Sequence, residues 1–390
     1  MSHQNEIDEQ MMRRVLLLAR RGKVWVAPNP MVGAVVVKNG KIIGEGYHRR
    51  FGGPHAEINA LAAAGSDGKG AELYVNLEPC CHFGKTPPCT VSIIQAGIRR
   101  LVASIQDPNP KVNGKGFNHL RDAGIQVEVG VLEDQARELN NPYLKKTETG
   151  KTWVTLKIAQ TLDGRIASKT GHSQWITGKA GRRYAHLMRA THDAVLVGAG
   201  TVHADDPLLD VRHVAGRNPV RIVLDTNFSL PPECKLLNTP DTAPTWIFGA
   251  PDNGKMPDWA DRPNVRAVIL KKNDYGCVSL HEMLEYIAEQ GIMSLMVEGG
   301  SKIWTAFLDQ HLVDKVEVVI APIILGQGID AIQDLGVLKV HDAVRLDHLH
   351  WRRIGSDLHI VSRVSYSNIH EGHEEIQSTK NTKSTKNLHL

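Results

Sequence analysis

Residues 55–89 constrain this chain more than any other stretch. The segment opens with His55-Ala56-Glu57 and closes with Pro79-Cys80-Cys81-His82-Phe83-Gly84-Lys85-Thr86-Pro87-Pro88-Cys89. A histidine, a glutamate and cysteines, separated by a helix and a strand, are the parts of a catalytic zinc site. Zinc takes nitrogen and thiolate ligands in a tetrahedron at about 2.0–2.3 Å, and a catalytic site keeps one corner for water. His55, Cys80 and Cys89 give three ligands and leave that corner open. Glu57 lies two residues past the histidine and can face the corner without filling it. A carboxylate there takes a proton from the water and passes it to a leaving amine. One His and two Cys alone would read as a structural site or as buried thiols. The H-x-E and P-C elements in this order favour catalysis, in the pattern of zinc deaminases. The second half of that pattern is wide here: eight residues separate Cys80 from Cys89. The insert carries Lys85, which suits an anionic substrate.

The rest of the composition narrows the setting. A chain of 390 residues predicts two or three domains, and 42% hydrophobic with 23% charged residues is ordinary for a globular protein. A net charge of +4 is too slight to argue for nucleic acid. No apolar run approaches the ~18 residues of a membrane span, and Met1 to Gln10 lacks a signal-peptide pattern, so the expected compartment is cytoplasmic. Five cysteines, three of them between positions 80 and 89, suit a metal in a reducing compartment better than disulfides.

In chain order, Met11 to Arg21 reads as an amphipathic helix capped by Gly22. Ala27-Pro28-Asn29-Pro30 reads as an extended loop, its backbone fixed by proline on both sides of Asn29. Val32–Val37 and Ile42–Tyr47 flank Asn39-Gly40, a strong hairpin signal. His55 to Ala64 reads as a helix ended by Gly65, Leu73 to Leu77 as a strand delivering Cys80, and Cys89 to Ala96 as a helix behind Pro88. Leu101 to Ile105 is a strand that runs into Asp107-Pro108-Asn109-Pro110. Hairpin, helix, strand, helix, strand predicts helices covering a sheet, with ligands gathered beyond the strand ends.

These residues carry a resemblance. Pro28 through Gly33, His55-Ala56-Glu57, Glu78 through Cys89 and Asp107 through Pro110 resemble the deaminase half of the bifunctional riboflavin-biosynthesis enzymes. That family joins a diaminohydroxyphosphoribosylaminopyrimidine deaminase to a 5-amino-6-(5-phosphoribosylamino)uracil reductase. The resemblance implies one zinc per chain at His55, Cys80 and Cys89, with Glu57 as proton shuttle. It implies substrate contacts from Asn29, His48, Lys85, Asp107 and Asn109. Cys81 reads as a neighbour of the site, since adjacent residues rarely both point at one metal.

A boundary is expected near Lys145–Lys151, a polar, charged run read as a linker. Beyond it, Val154–Ala159, Ala194–Val197, Val220–Leu224, Thr245–Phe248, Val265–Leu270 and Ser294–Val297 read as strands. Ser279–Gln290 and Lys302–Leu308 read as helices, the former with Ser279 and Glu282 as a capping box. This half resembles the family's reductase, which is similar to dihydrofolate reductase in fold. The matching pieces are Thr155-Leu156-Lys157, Leu162-Asp163-Gly164, Gln174 through Thr177, Val202 through Pro207 and Val297 through Gly300. The resemblance implies NADPH along Ala159, Trp175, Thr201, Asp205 and Gly300. It implies substrate contacts from Ser173, Arg189, Leu209, Arg212 and Glu298. The arginines also suit a ribose phosphate, which needs forked cationic donors.

The expectation is therefore an α/β chain: a cytidine-deaminase-like three-layer domain over 1–147, a dihydrofolate-reductase-like domain over 152–366, and a polar tail, 367–390, read as disordered. It would deaminate 2,5-diamino-6-(5-phosphoribosylamino)pyrimidin-4(3H)-one and then reduce the ribosyl group to a ribityl chain. The expected partners are these small molecules and further copies of the chain, with no nucleic acid and no membrane. Two rival readings are weaker. A nucleic-acid base deaminase is disfavoured by the wide cysteine spacing and by the lack of a basic, aromatic-laced patch. A zinc-stabilised binding protein with vestigial groups is disfavoured by the intact Glu57 and Lys85.

Overall fold

The computed structural model describes residues 3–84, 87–239 and 241–366. Lys85 and the tail 367–390 lie outside the described residues. Helix α1 (His3–Ala19) begins eight residues earlier than the apolar pattern predicts, and a 3-10 turn, Arg20–Gly22, extends it. Gly22 is buried rather than acting as a left-handed cap. A Cβ there would fall 2.6 Å from the His48 carbonyl oxygen, so close approach explains the glycine. The hairpin forms as its turn dictates: β1 (Gly33–Lys38) pairs antiparallel with β2 (Lys41–Tyr47). Asn39 and Gly40 take φ of 52° and 72°, as a tight two-residue turn requires.

Five more elements follow the hairpin. They are α2 (Ala56–Ala64), β3 (Glu72–Leu77), α3 (Cys89–Gln95), β4 (Arg100–Ile105) and α4 (Lys115–Asp122). After them come β5 (Gln126–Val129) and α5 (Glu133–Thr149). The sheet order is β2-β1-β3-β4-β5, with β3, β4 and β5 parallel. Alternate residues of β1 face opposite layers. Ala34 and Val36 pack against α2, α3 and α4, while Val35 and Val37 pack against α1. That is the expected three-layer arrangement. Its parallel strands end at Cys80 and Asp107, which places both beyond one edge of the sheet.

The polar run 145–151 is helical to Thr149, where an open linker is expected. Local bonds replace the missing apolar stripe. Arg137 pairs with Glu133 one turn back at 3.0 Å, and the Thr147 and Thr149 hydroxyls donate to the carbonyls of Tyr143 and Lys145. Gly150, at φ 73°, then closes the helix by donating to the Lys146 carbonyl.

The second set begins with β6 (Trp153–Thr161), β7 (Arg165–Ser168), α6 (Lys179–Thr191), β8 (Ala194–Gly198) and α7 (Ala199–Asp205). It continues with β9 (Val220–Leu224), α8 (Lys235–Asn238), β10 (Thr245–Gly249), β11 (Val265–Ile269), α9 (Leu280–Glu289), β12 (Ser294–Gly299) and α10 (Ser301–Asp309). It ends with β13 (Lys315–Ala321), β14 (Gly328–Asp330), β15 (Arg345–Ile354) and β16 (Asp357–Ser365). Nine strands form one sheet, β11-β10-β9-β8-β12-β6-β13-β16-β15. The first seven in that order are parallel, and β8, β9, β10 and β12 among them are buried on both faces, which accounts for their apolar runs. Helices α9 and α10 cover one face through Met283, Ile287, Trp304 and Phe307, and α6 to α8 cover the other through Met188, Val202, Leu236 and Leu237. The antiparallel pair β15–β16 closes the far edge. Among the described residues, no helix is long and apolar enough to cross a membrane.

Candidate active sites

The first site is assembled at the carboxyl ends of β3 and β4. Helix α2 lies so near β2 that a Cβ at Gly46 would fall 2.4 Å from the Ala56 carbonyl oxygen. This approach sets His55, the residue just before α2, with φ −71° and ψ 165°. Cys80 follows β3, and Cys89 opens α3. The ligand atoms of His55, Cys80 and Cys89 lie within 4.8 Å of one another. His55 Nδ1 is 3.2 Å from Cys89 Sγ and 3.5 Å from Cys80 Sγ, so one ring nitrogen faces both sulfurs.

The electrostatics set the two thiols apart. A hydrogen bond from Cys89 pulls the Cys80 thiol down to about 4, with His55 adding to the effect. The same bond, together with burial, pushes the Cys89 thiol up. The hydrogen bond to Cys80 raises His55. Glu57 is 3% exposed, and burial pushes its carboxyl up. Its Oε2 is buried and has no hydrogen-bond partner among the described residues. A cluster of an imidazole and two thiols, beside an orphaned carboxylate oxygen, fits a zinc ion with a protic fourth ligand.

That cavity, about 290 Å³, is lined by Asn29, His48, Asp107 and Asn109 as well as His55, Glu57 and Cys80. Asn29 Nδ2 lies 3.0 Å from His48 Nε2, and the other ring nitrogen of His48 lies 3.0 Å from the Pro54 carbonyl oxygen. Burial lowers His48 and raises Asp107. Glu78 holds the far loop by accepting from the N–H groups of Asp107, Gly114 and Phe117. The lining residues that the sequence reading did not assign include His82 and Tyr143. His82 brings a buried Nδ1 without a partner among the described residues, and Tyr143 comes from α5 and donates to Asp107 at 2.8 Å. His82 stood inside the motif and could have been singled out. Tyr143 carried no signal, being thirty-six residues away from Asp107 in the sequence.

The second site is a cavity of about 1150 Å³ over the carboxyl ends of β6, β8 and β12. Ala159, Trp175, Thr201, Asp205 and Gly300 line it, as do Ser173, Arg189, Arg212 and Glu298. Leu209 does not. It is 3% exposed and packs with Met188, Val202 and Leu230 in the core, where an apolar side chain belongs. Arg189 also differs from the open phosphate cation expected. Its fork is filled by Glu298, with Nε and Nη2 each 2.8 Å from one carboxylate oxygen, and Nη1 donates to the Asp210 carbonyl. Lys157 lies 3.4 Å from the same carboxylate. Burial alone would raise Glu298, but Arg189 and Lys157 outweigh it and hold the carboxyl at about 2. Arg212 is half exposed and pairs with Asp210. Arg182 lies over the Trp175 ring at 4.7 Å. Ser301, at the first turn of α10, has a buried Oγ with no partner among the described residues. An unpartnered hydroxyl at the start of a helix, beside Gly300, fits a phosphate of a dinucleotide.

The two folds and their sites define a class, a zinc-dependent deaminase domain of the cytidine-deaminase kind joined to a reductase domain of the dihydrofolate-reductase kind. Comparison with known proteins agrees. Residues 5–105 match the cytidine and deoxycytidylate deaminase zinc-binding region, and residues 152–360 match the RibD C-terminal domain. The riboflavin biosynthesis protein RibD of Aquifex aeolicus is 46% identical over 354 residues, which cover 90% of this chain and 97% of that protein. The Escherichia coli protein of the same name is 40% identical over 370 residues, covering 91% and 99%. Among solved structures, Acinetobacter baumannii RibD superposes with a TM-score of 0.83 at 36% identity, covering 93% of this chain and 99% of that one. The Thermotoga maritima diaminohydroxyphosphoribosylaminopyrimidine deaminase/5-amino-6-(5-phosphoribosylamino)uracil reductase superposes at 0.80 with 38% identity, covering 93% and 100%. The chain belongs to the RibD family of bifunctional deaminase–reductases of riboflavin biosynthesis.

Proposed function

We propose that this chain deaminates 2,5-diamino-6-(5-phosphoribosylamino)pyrimidin-4(3H)-one and then uses NADPH to reduce the ribosyl group, giving 5-amino-6-(5-phosphoribitylamino)uracil. Deamination is assigned to residues 1–147 and reduction to 152–366, a division supported by two sheets that share no strand. The observation that carries the reading is the cluster of His55, Cys80 and Cys89 at a cavity lined by His55, Cys80 and buried Glu57.

Zinc, when bound, supplies a Lewis acid that makes water acidic enough to attack near neutral pH. His55, Cys80 and Cys89 hold it. Glu57 takes the proton from the attacking water and returns it to the exocyclic amine, so the C–N bond breaks as the C–O bond forms and ammonia leaves. Burial that raises the Glu57 carboxyl suits both halves of that relay. Asn29, His48, Asp107 and Asn109 orient the pyrimidine in the cavity, and Lys85 is assigned to its phosphate. At the second site NADPH, when bound, supplies the reducing equivalent. Ala159, Trp175, Thr201, Asp205 and Gly300 line its place, with Ser301 donating to phosphate. Arg212 and Ser173 face the sugar phosphate. Glu298 and Arg189 form the buried wall of that subsite, held rigid by their paired bonds.

The protein is assigned to the cytoplasm as a homo-oligomer acting on small molecules. Edge strand β15 supports the oligomer, since it exposes Leu346, Leu349 and Trp351. A monomer by light scattering at micromolar concentration would overturn that part.

The test of the central reading is incubation with the diaminopyrimidine, with and without NADPH. Ammonia should appear in both reactions, and NADPH consumption should follow one-for-one in the second. Absence of ammonia from zinc-loaded protein would overturn the reading.

A further inference from the structure

Helix α5 precedes the second sheet in sequence, yet its last three turns are bonded to both domains. The helix kinks at Asn140, where φ is −110° and ψ 15°, two residues before Pro142. Proline there lacks the N–H that would bond to the carbonyl four residues back. The kink turns the buried Asn140 amide onto Met31. The Met31 N–H donates to Oδ1 at 2.8 Å, and Nδ2 donates to the Met31 carbonyl at 3.0 Å. Met31 directly follows Asn29 and Pro30, which line the deaminase cavity. One turn further on, the Tyr143 hydroxyl donates to Asp107 Oδ1 at 2.8 Å, an oxygen that also accepts from the Asn109 N–H at 2.9 Å. One face of α5 therefore holds both loops that carry the substrate-facing residues.

The other face is anchored in the reductase domain. Lys145 Nζ spans both oxygens of Asp314, at 2.7 and 2.6 Å. The Asp314 carboxylate accepts from the Val154 N–H at 2.7 Å, and its own N–H donates to the Val154 carbonyl at 3.0 Å. Val154 is the second residue of β6, and Asp314 immediately precedes β13, so the anchor lies at the amino ends of two adjacent interior strands of the nine-stranded sheet. Lys146 adds a bond to the Ala288 carbonyl at 2.7 Å, near the end of α9.

We propose that α5 is a strut: Asn140 and Tyr143 are positioning residues for deamination, and the Lys145–Asp314 pair fixes their place from the reductase domain. The inference rests on the deaminase reading given above. It implies that the first active site depends on the second domain for its substrate geometry, though no reductase side chain need enter the cavity.

The test uses the full-length, zinc-loaded protein. Tyr143→Phe keeps the ring and removes the hydroxyl. It should raise KM for deamination about tenfold, the scale of a lost bond to a carboxylate, while kcat changes less. Lys145→Met keeps length and removes charge; it should raise the same KM about threefold, as befits a half-buried ion pair acting at one remove. Lys145→Arg should restore it. Zinc content and reduction of pre-deaminated substrate should stay at native levels in all three. General destabilisation would instead lower both activities together and leave KM unchanged. Native KM in Tyr143→Phe overturns the positioning role. A shift in Tyr143→Phe with none in Lys145→Met overturns the anchor, as does equal impairment of Lys145→Met and Lys145→Arg. If native protein releases no ammonia, the functional reading falls and this inference with it. If native protein deaminates normally and the variants do too, only this inference falls.

Discussion

At the scale of single residues, the proposed deamination rests on Glu57 and on the cluster of His55, Cys80 and Cys89. Glu57→Gln keeps the size and removes the proton acceptor. Deamination should drop by about 10²–10⁴-fold, the usual weight of general acid–base catalysis, while zinc content and reductase activity persist. Deamination near the native rate would remove Glu57 from the mechanism. Cys89→Ser should lose most of the zinc, measured by metal analysis after dialysis, because a hydroxyl is a poor substitute for thiolate. Arg212→Ala should weaken binding of the natural reductase substrate by about tenfold or more, as one lost charge-assisted contact implies. A dephosphorylated analogue should bind native and variant about equally; if it does not, Arg212 is not a phosphate contact. The cluster of His55, Cys80 and Cys89 was readable from sequence because local chain geometry brings it together: one helix start, one strand end and the next helix start. Tyr143 and Asn140 were not readable, because only the packing of α5 on the sheet brings them to Asp107 and Met31. The burial of the Leu209 side chain was not readable for a related reason, since a position in a motif does not say which way an apolar side chain turns.

At the scale of elements, those with strong local rules were legible. Asn39-Gly40 forces a hairpin wherever the sheet lies. Helix α9 announces itself by Ser279, whose side chain accepts from the Glu282 N–H at 3.3 Å. Ser279→Ala should cost about 1 kcal/mol of stability, read as a lower denaturant midpoint with unchanged slope. A midpoint identical to native would mean that solvent caps the helix equally well. Elements whose stability is tertiary were missed. The apolar positions of helix α5 stop at Leu144 and it contains Pro142, so its polar end reads as a linker, although bonds to Asp314 and Ala288 hold it. Strand β15 is exposed along nearly all its length, so no alternation of burial marks it. It exists as a strand because β16 offers a ladder.

At the scale of the whole molecule, buried histidines make stability depend on pH. Burial, with Arg189 and Arg212 nearby, lowers His186 to about 4, and burial lowers His192 to about 4. Both are on or beside α6, and His186 faces the reductase cavity. Their ordinary value is 6.5, so between pH 6.5 and about 4 the unfolded chain binds protons that the folded chain refuses. Stability is then present above pH 6.5 and is lost as pH falls towards 4. With both groups in play the slope reaches at most about 2.7 kcal/mol per pH unit, from two protons at 2.303RT each. Glu298 adds a second, lower window. Its folded value of about 2 lies below the ordinary 4.5, so the Arg189 pairing is lost only as pH falls from 4.5 towards 2. Six of the seven tryptophans lie beyond residue 150, so tryptophan emission follows mainly the second domain. Denaturant midpoints recorded by that emission should fall from pH 7 to pH 5, and His186→Gln should flatten the fall by about half. Zinc loss at the first site would be silent to most of these reporters, which separates the two causes of acid sensitivity. A native midpoint independent of pH between 7 and 5 would show that His186 and His192 accept protons in the folded state, and would remove burial as the force that keeps them neutral.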